Sequence, residues 1–415
     1  MKKRLLFVEL LLILFFPLTF SFALESMDKE GDGGLENGKI EEKTIDKENS
    51  SLNNGGINLA ANAKSAIIIE ASTGKIIYEK NANERLAMAS MTKMMTLLLI
   101  MENIENGNLK FDEMVTTSAN AAGMGGSQIF LQVGEQMSVD DLLKGICIAS
   151  GNDAAVAMAE RIGGTEENFI KMMNDKVIEL GLKNTNFTNS YGFDADEHYS
   201  SAYDMAMIAK ELVKHTKILE YSGTYEDYLR KDTNNSFWLV NTNKLVRYYS
   251  GVDGLKTGYT GKAMYCLTAT AKKNNMRLIT VVMGEPNSSI RSSETSSMLD
   301  YGFNTYQVDT ILSSNTILDE VKVDLGNEET VGVVAKEDVT VLNNKTGAKR
   351  NVEYKVNLKD IKAPIKLGDK IGSVDVYEDN KVIMSVDLTV NKNVDKANLF
   401  VVYLRNLFDV IRGNF

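Results

Sequence analysis

Three short clusters carry residue types that could perform acyl transfer without histidine. Ser90-Met91-Thr92-Lys93 sets a hydroxyl and an amine three positions apart at the head of a densely apolar run, residues 90–102. In a helix such residues share a face. A buried setting and a helix N-terminus both disfavour an ammonium, so Lys93 could remain a neutral amine and take the proton of Ser90. Ser150-Gly151-Asn152 follows 60 residues later between two helical stretches, and Lys256-Thr257-Gly258 lies on a strand-like stretch. Each pattern is weak by itself. Ser26-Met27-Asp28-Lys29 and Ser72-Thr73-Gly74-Lys75 repeat the first, S-x-N also starts at Ser51, Ser118 and Ser313, and Lys345-Thr346-Gly347 repeats the third. Ser72 and Lys75 straddle a tight turn, and Lys345-Thr346-Gly347 is expected at a hairpin tip, so both read as structural. Specificity comes from the order of the three clusters and from the elements that hold them.

Other chemistries lack their residues. The chain has two histidines, His198 and His215, and neither H-E-x-x-H nor C-x-x-C, so no metal site is expected. G-x-S-x-G and G-x-x-x-x-G-K-[ST] are missing too, and no cofactor is expected. A formal net charge of -10, with no cluster of Lys and Arg that reads as a phosphate-binding stripe, argues against a nucleic-acid partner. His198 reads as a buried hydrogen-bonding residue in preference to a catalytic one.

The clusters need a scaffold, and 415 residues, 44% of them hydrophobic, suffice for a large core and a smaller one. Ala66-Ile67-Ile68-Ile69-Glu70 and Lys75-Ile76-Ile77-Tyr78 read as strands around a turn. Ser138-Val139-Asp140-Asp141 resembles a capping box opening a helix to about residue 148. Thr165-Glu166-Glu167 opens another, which Gly181 closes, and residues 201–214 form a third with Ser201 and Asp204 in capping positions. Gly254-Leu255-Lys256-Thr257, residues 264–271 and residues 276–283 are strand-like, and residues 288–303 are helical. Strands flanking a helical block predict an α/β domain, a sheet with helices packed on it, over residues 61–305. Short β-rich runs separated by turn residues predict a second, all-β domain over 306–391.

The ends carry the compartment. Lys2, Lys3 and Arg4 precede a mostly apolar stretch to Phe22, and Ser21-Phe22-Ala23 has the small residues of a cleavage site. Residues 1–23 read as a signal peptide; Glu9 and the cleavage pattern favour removal over retention as an anchor. Residues 24–60 have the polar, unpatterned composition of a disordered linker. Residues 392–415 form an amphipathic helical pattern with Phe400, Leu404, Leu407 and Ile411 on one face. Such a helix packs on its own domain or lies in a membrane interface; Phe400, Tyr403, Phe408 and Phe415 favour the membrane surface. It is too polar to span. Cys147 and Cys266, the only cysteines, lie in apolar stretches and read as buried free thiols, although an exported protein could pair them.

In this order, S-x-x-K, S-x-N and K-T-G resemble the signature of penicillin-binding proteins and serine β-lactamases. Further segments resemble the low-molecular-mass D-alanyl-D-alanine carboxypeptidases: Ala71-Ser72-Thr73-Gly74-Lys75, residues 127–135 and 149–154, His198-Tyr199-Ser200-Ser201-Ala202, Asp300-Tyr301-Gly302-Phe303 and residues 362–372. The likeness covers about residues 64–415. It implies the transpeptidase-like fold, an antiparallel sheet with helices, followed by the β domain and a terminal membrane-associating helix. It implies removal of the terminal D-alanine from peptidoglycan stem peptides ending in D-Ala-D-Ala, on the outer face of the cytoplasmic membrane, in cell-wall biogenesis. β-Lactam antibiotics would be covalent inhibitors. Ser90 resembles the acylated nucleophile, Lys93 its proton acceptor and Ser150 a proton relay. Asn152, Lys256, Thr257, Gly258 and Tyr259 resemble substrate-binding positions, with Lys256 and Thr257 holding the free carboxylate. The amides of Ser90 and Tyr259 resemble the oxyanion hole.

There are departures from the family pattern. Tyr259 stands where some members carry His, Asn189-Ser190-Tyr191-Gly192 where many show Asn-Pro-His-Gly, and Met264 where Gly is common. They bear on efficiency more than on reaction class. Three rival readings differ in class or substrate. A serine β-lactamase would use an acid such as Glu166 or Glu167 for deacylation, a scaffold protein would keep the fold without chemistry, and an endopeptidase would cut cross-links with the same site.

Overall fold

The computed structural model describes residues 56–231, 233–347, 350–398, 400, 402, 403 and 405. The expected signal peptide, nearly all of the expected linker and most of the expected terminal helix lie outside these residues.

Two strands, β1 (Ser65–Glu70) and β2 (Ile76–Lys80), open the first domain. A helical block follows: α1 (Lys93–Glu105), α2 (Val139–Cys147), α3 (Asn152–Gly163), α4 (Glu166–Glu179) and α5 (Ala202–Leu212), with shorter turns and hairpins between them. The chain returns as β3 (Val252–Thr260), β4 (Met264–Lys273) and β5 (Met276–Glu285), and α6 (Ser288–Thr305) closes the domain. The five strands make one antiparallel sheet in the order β2-β1-β5-β4-β3. Alternation along the central strands divides the apolar side chains between two cores. Ile67 and Ile69 of β1 and Ile279 and Val281 of β5 pack with the helical block. Ala66, Ile68, Leu278 and Val282 pack with Met298, Leu299 and Phe303 of α6. Helices therefore cover both faces, which is why β1 is buried at every position.

Helix α1 is apolar on nearly every side, and Lys93 through Met101 are all buried. Such a helix has to run through the core. The expected caps form: the hydroxyls of Ser138, Thr165 and Ser201 accept from the amides of Asp141, Asn168 and Asp204. Ser72-Thr73-Gly74-Lys75 is a structural turn, in which the Glu70 carboxylate accepts from the amides and hydroxyls of both Ser72 and Thr73. Cys147 and Cys266 are buried and unpaired.

The second domain holds β6 (Tyr306–Leu312), β7 (Asp319–Lys322), β8 (Thr330–Ala335), β9 (Val339–Asn344), β10 (Glu353–Leu358), β11 (Gly372–Glu378) and β12 (Lys381–Val390). A five-stranded sheet, β7-β8-β12-β11-β10, accompanies the β6-β9 pair. Val331, Val333, Val374, Val376, Val386, Leu388 and Val390 build its core. One expectation is corrected here. Lys345-Thr346-Gly347 is no hairpin tip, because β9 pairs with β6 while β10 pairs with β11. The turn leaves one sheet for another, and it ties the domains together: the Lys345 ammonium donates to the Phe303 carbonyl and its amide to that of Thr305.

Asp153 fixes the loop in front of α3. Its carboxylate, 2% exposed, accepts from the amides of Ile129 and Leu131, each at 3.1 Å. Asp153→Ala strands those two buried donors. The expected loss is about 2–4 kcal/mol, seen as a melting temperature lower by roughly 5–15 °C. Unchanged melting would show that water satisfies the loop equally well.

Candidate active site

The Ser90 side of the site begins with a 3-10 turn, Ala89–Thr92, that runs directly into α1. Ala89 has φ +48°, a left-handed conformation that costs energy for a residue with a Cβ. Two glycines let other backbone press against this turn. A Cβ on Gly258 of β3 would lie 2.6 Å from the Met88 carbonyl oxygen, and one on Gly192 would lie 2.1 Å from that of Ala89. Gly192 also has φ +102°, so glycine is required there twice over. The turn is thus clamped between β3 and the Tyr191-Gly192 segment.

Lys93 is the first residue of α1 and is fully buried. Its Nζ lies 3.0 Å from Ser90 Oγ, 2.6 Å from Asn152 Oδ1 and 2.6 Å from the Tyr191 carbonyl oxygen. The two carbonyl-type oxygens can only accept. A neutral amine has two N–H groups and one lone pair, so with its hydrogens on those oxygens the lone pair faces Ser90. Burial, then the charge of Lys256, pushes the Lys93 amine well below the usual lysine range, with Asp153 pulling weakly the other way.

Each acceptor is held in turn. Asn152 is the first residue of α3, and its Nδ2 donates to the Gly125 carbonyl at 2.7 Å. The amides of Tyr191 and Gly192 both donate to Asn189 Oδ1. Ser190 is gripped by α1 and α4: its carbonyl accepts from Thr96 Oγ1, while its amide and hydroxyl donate to the Glu166 carboxylate. Glu166, an acid that a β-lactamase reading would use, is therefore engaged in holding this segment.

Ser150 lies in the turn before α3 with φ +64°, and its buried Oγ has no hydrogen-bond partner among the described residues. On β3, Lys256 is 1% exposed and its Nζ donates to the Thr257 carbonyl at 3.0 Å. Burial pushes its amine down to about 7. Thr257 Oγ1 donates to Thr242 Oγ1 at 2.7 Å. Tyr259 is 59% exposed, its ring 4.4 Å from that of Tyr265.

The expected residues are therefore brought together unequally. Ser90, Lys93 and Asn152 form one bonded cluster, Lys256 acts on it electrostatically, and Gly258 acts by packing. Ser150, Thr257 and Tyr259 make no bond to the cluster among the described residues. His198 has the expected buried, hydrogen-bonded setting: it is 4% exposed and burial lowers its imidazole to about 4. Sequence reasoning missed the Tyr191 carbonyl and the packing role of Gly192. The first carries no side-chain signal; the second could have been suspected from a glycine in the segment that departs from the family pattern.

The family model described as D-alanyl-D-alanine carboxypeptidase matches residues 52–287, and that of the penicillin-binding protein 5 C-terminal domain matches residues 306–396. The chain is 50% identical over 348 residues to the D-alanyl-D-alanine carboxypeptidase DacF of Bacillus subtilis, covering 84% of this chain and 89% of that protein. It is 34% identical over 355 residues to DacC of Escherichia coli, covering 82% and 86%. Penicillin-binding protein 5 of Haemophilus influenzae superposes with a TM-score of 0.63 at 34% identity, covering 81% of this chain and 98% of that one. Penicillin-binding protein D2 of Listeria monocytogenes, solved in an ampicillin-bound form, gives 0.54 at 29% identity, covering 60% and 100%. With a family model over more than half its length and half its aligned residues shared with DacF, this chain belongs to the D-alanyl-D-alanine carboxypeptidases, the low-molecular-mass penicillin-binding proteins.

Proposed function

We propose that Ser90 is the nucleophile with which this carboxypeptidase removes the terminal D-alanine of peptidoglycan stem peptides, and that Lys93 is its base. The observation that carries this is the Lys93 amine, buried, with two fixed acceptors and Ser90 Oγ 3.0 Å away. Ser90 attacks the carbonyl of the penultimate D-alanine as its proton passes to Lys93. The developing oxyanion is stabilised by the amides of Ser90 and Tyr259. Lys256 and Thr257 hold the terminal carboxylate, the one charge that only a chain end has. Ser150, whose hydroxyl is uncommitted, passes a proton toward the leaving amine. Asn152 fixes Lys93 and lies beside the path of the substrate peptide. Water then cleaves the acyl-enzyme. A β-lactam acylates Ser90 in the same way and leaves slowly.

The chain works outside the cytoplasm in this reading, exported by residues 1–23 and held to the membrane surface by residues 392–415. Support comes from the start of that last segment. Phe400 and Tyr403 are 66% and 63% exposed, while the Arg405 guanidinium donates to the carbonyls of Gly326 and Asn327 on the β domain. Among the described residues no helix is long and apolar enough to cross a membrane, so attachment would be interfacial.

The catalytic reading is tested by D-alanine release from a diacyl-lysyl-D-alanyl-D-alanine peptide. Ser90→Ala should release none, and Lys93→Ala should acylate about 10²–10⁴-fold more slowly while melting normally. Lys93 must lose its proton to act. The acid limb of kcat/KM should therefore lie well below pH 10.5, the usual lysine value, with the rate falling as pH drops through it. Normal acylation by Lys93→Ala, or an acid limb near that usual value, would remove Lys93 from the role of base. The membrane reading is tested by deleting residues 393–415, which should move the protein from the membrane pellet to the supernatant; unchanged pelleting refutes it.

A further inference from the structure

We infer that His198 is a positioning residue for the nucleophile: as a neutral ring with its proton on Nε2, it fixes the Thr92 hydroxyl on the Ala89 carbonyl and so holds the turn that aims Ser90. The inference rests on the assignment of Ser90 as nucleophile.

The direction of every bond in the chain can be derived. The Thr188 amide donates to His198 Nδ1 at 3.0 Å. A backbone N–H can only donate, so Nδ1 carries the lone pair and the ring proton is on Nε2. His198 Nε2 lies 2.9 Å from Thr92 Oγ1 and must therefore donate to it. That leaves the Thr92 hydrogen free to point at the Ala89 carbonyl, 2.8 Å away. The chain runs one way, from the Thr188 amide through the imidazole and the hydroxyl to a carbonyl one residue before Ser90.

That carbonyl is where small errors matter. Ala89 is left-handed, at φ +48°, and Gly192 presses against its carbonyl so closely that no Cβ fits. If Thr92 rotated away, the carbonyl would lose its side-chain donor and the peptide plane between Ala89 and Ser90 would be freer to turn. The Ser90 amide belongs to that plane, so rotation would move an oxyanion donor as well as the nucleophile. Misplacement on the order of 1 Å costs roughly a hundredfold in rate. The ring itself is well held. His198 and Thr92 are both buried, the Phe187 ring packs on the imidazole at 6.1 Å, and the neighbouring residues Tyr199 and Ser200 bridge to Asn186 and Leu86. Burial also favours the uncharged ring, the only form that can accept from Thr188.

The test separates positioning from folding. Asn at 198 can keep an acceptor for the Thr188 amide but cannot donate to Thr92, whereas Gln can place an amide N–H near the Nε2 position. His198→Asn should bind a β-lactam non-covalently as tightly as wild type and acylate roughly tenfold to a hundredfold more slowly at saturation. His198→Gln should recover most of that rate. Thr92→Val, which keeps the side-chain volume, should reproduce the slow acylation, and the double variant Thr92→Val/His198→Asn should be no slower than the worse single one. Thr92→Val also carries the test if His198→Asn does not fold. Wild-type acylation rates in His198→Asn, losses confined to non-covalent affinity and melting temperature, or losses that multiply in the double variant would each overturn the inference. A folded wild-type protein that no β-lactam acylates at Ser90 would instead overturn the nucleophile assignment beneath it.

Discussion

The structure depends on housing one amine, that of Lys93, away from water, where burial pushes it toward its uncharged form. A lysine in water is an ammonium and a poor base, and only removal from solvent, helped by a second cation nearby, makes it otherwise. The requirement propagates outward. Lys93 can be buried because α1 is apolar on nearly every side, and α1 can be apolar because the sheet, α3, α4 and α5 surround it. The amine still needs partners for its hydrogens, since an unpaired buried donor is costly. Asn152 and the Tyr191 carbonyl meet that need without supplying a negative charge that would restore the ammonium.

Neutral acceptors work only if they stay in place, and most of the local architecture does this. Asn152 is fixed by the Gly125 carbonyl, and its neighbour Asp153 is committed to the amides of the facing loop. The Tyr191 carbonyl is held through Asn189, Thr96 and Glu166. Gly258 and Gly192 let strand and loop backbone close on the turn that carries Ser90 from two sides. Most of these contacts join distant parts of the chain, and α1 contributes Lys93 and Thr96 to them. The site is rigid because its parts are shared with the core.

That distribution explains what could be read in advance. A hydroxyl and an amine at helical spacing on an apolar run is a local signal, and the approach of Lys93 to Ser90 was legible from it. So were the capped starts at Ser138, Thr165 and Ser201, because capping is local chemistry. The isoleucine run of β1 was legible as a strand, but its place between β2 and β5 was not, since alternation assigns faces and leaves neighbours open. Lys345-Thr346-Gly347 was misplaced for the same reason: turn residues mark a reversal, and only long-range pairing shows which sheets it joins. The Tyr191 carbonyl was invisible, because every residue offers one.

The charge balance around Lys93 and Lys256 bears on the substrate choice proposed above. Lys93 and Lys256 are both buried, and the partners of their amines are a hydroxyl, an amide and backbone carbonyls. The acid close enough to influence Lys93, Asp153, is occupied by the amides of Ile129 and Leu131. Burial pushes the Lys256 amine down to about 7, and an anion arriving beside it favours its charged form. A peptide ending in a free carboxylate brings that anion, and an internal segment of chain does not. In the role proposed for Lys256, recognition of the chain end and stabilisation of its charge would be the same event. A fixed internal carboxylate beside Lys256 would hold the ammonium permanently, compete with the substrate for it, and erase the preference for a terminus.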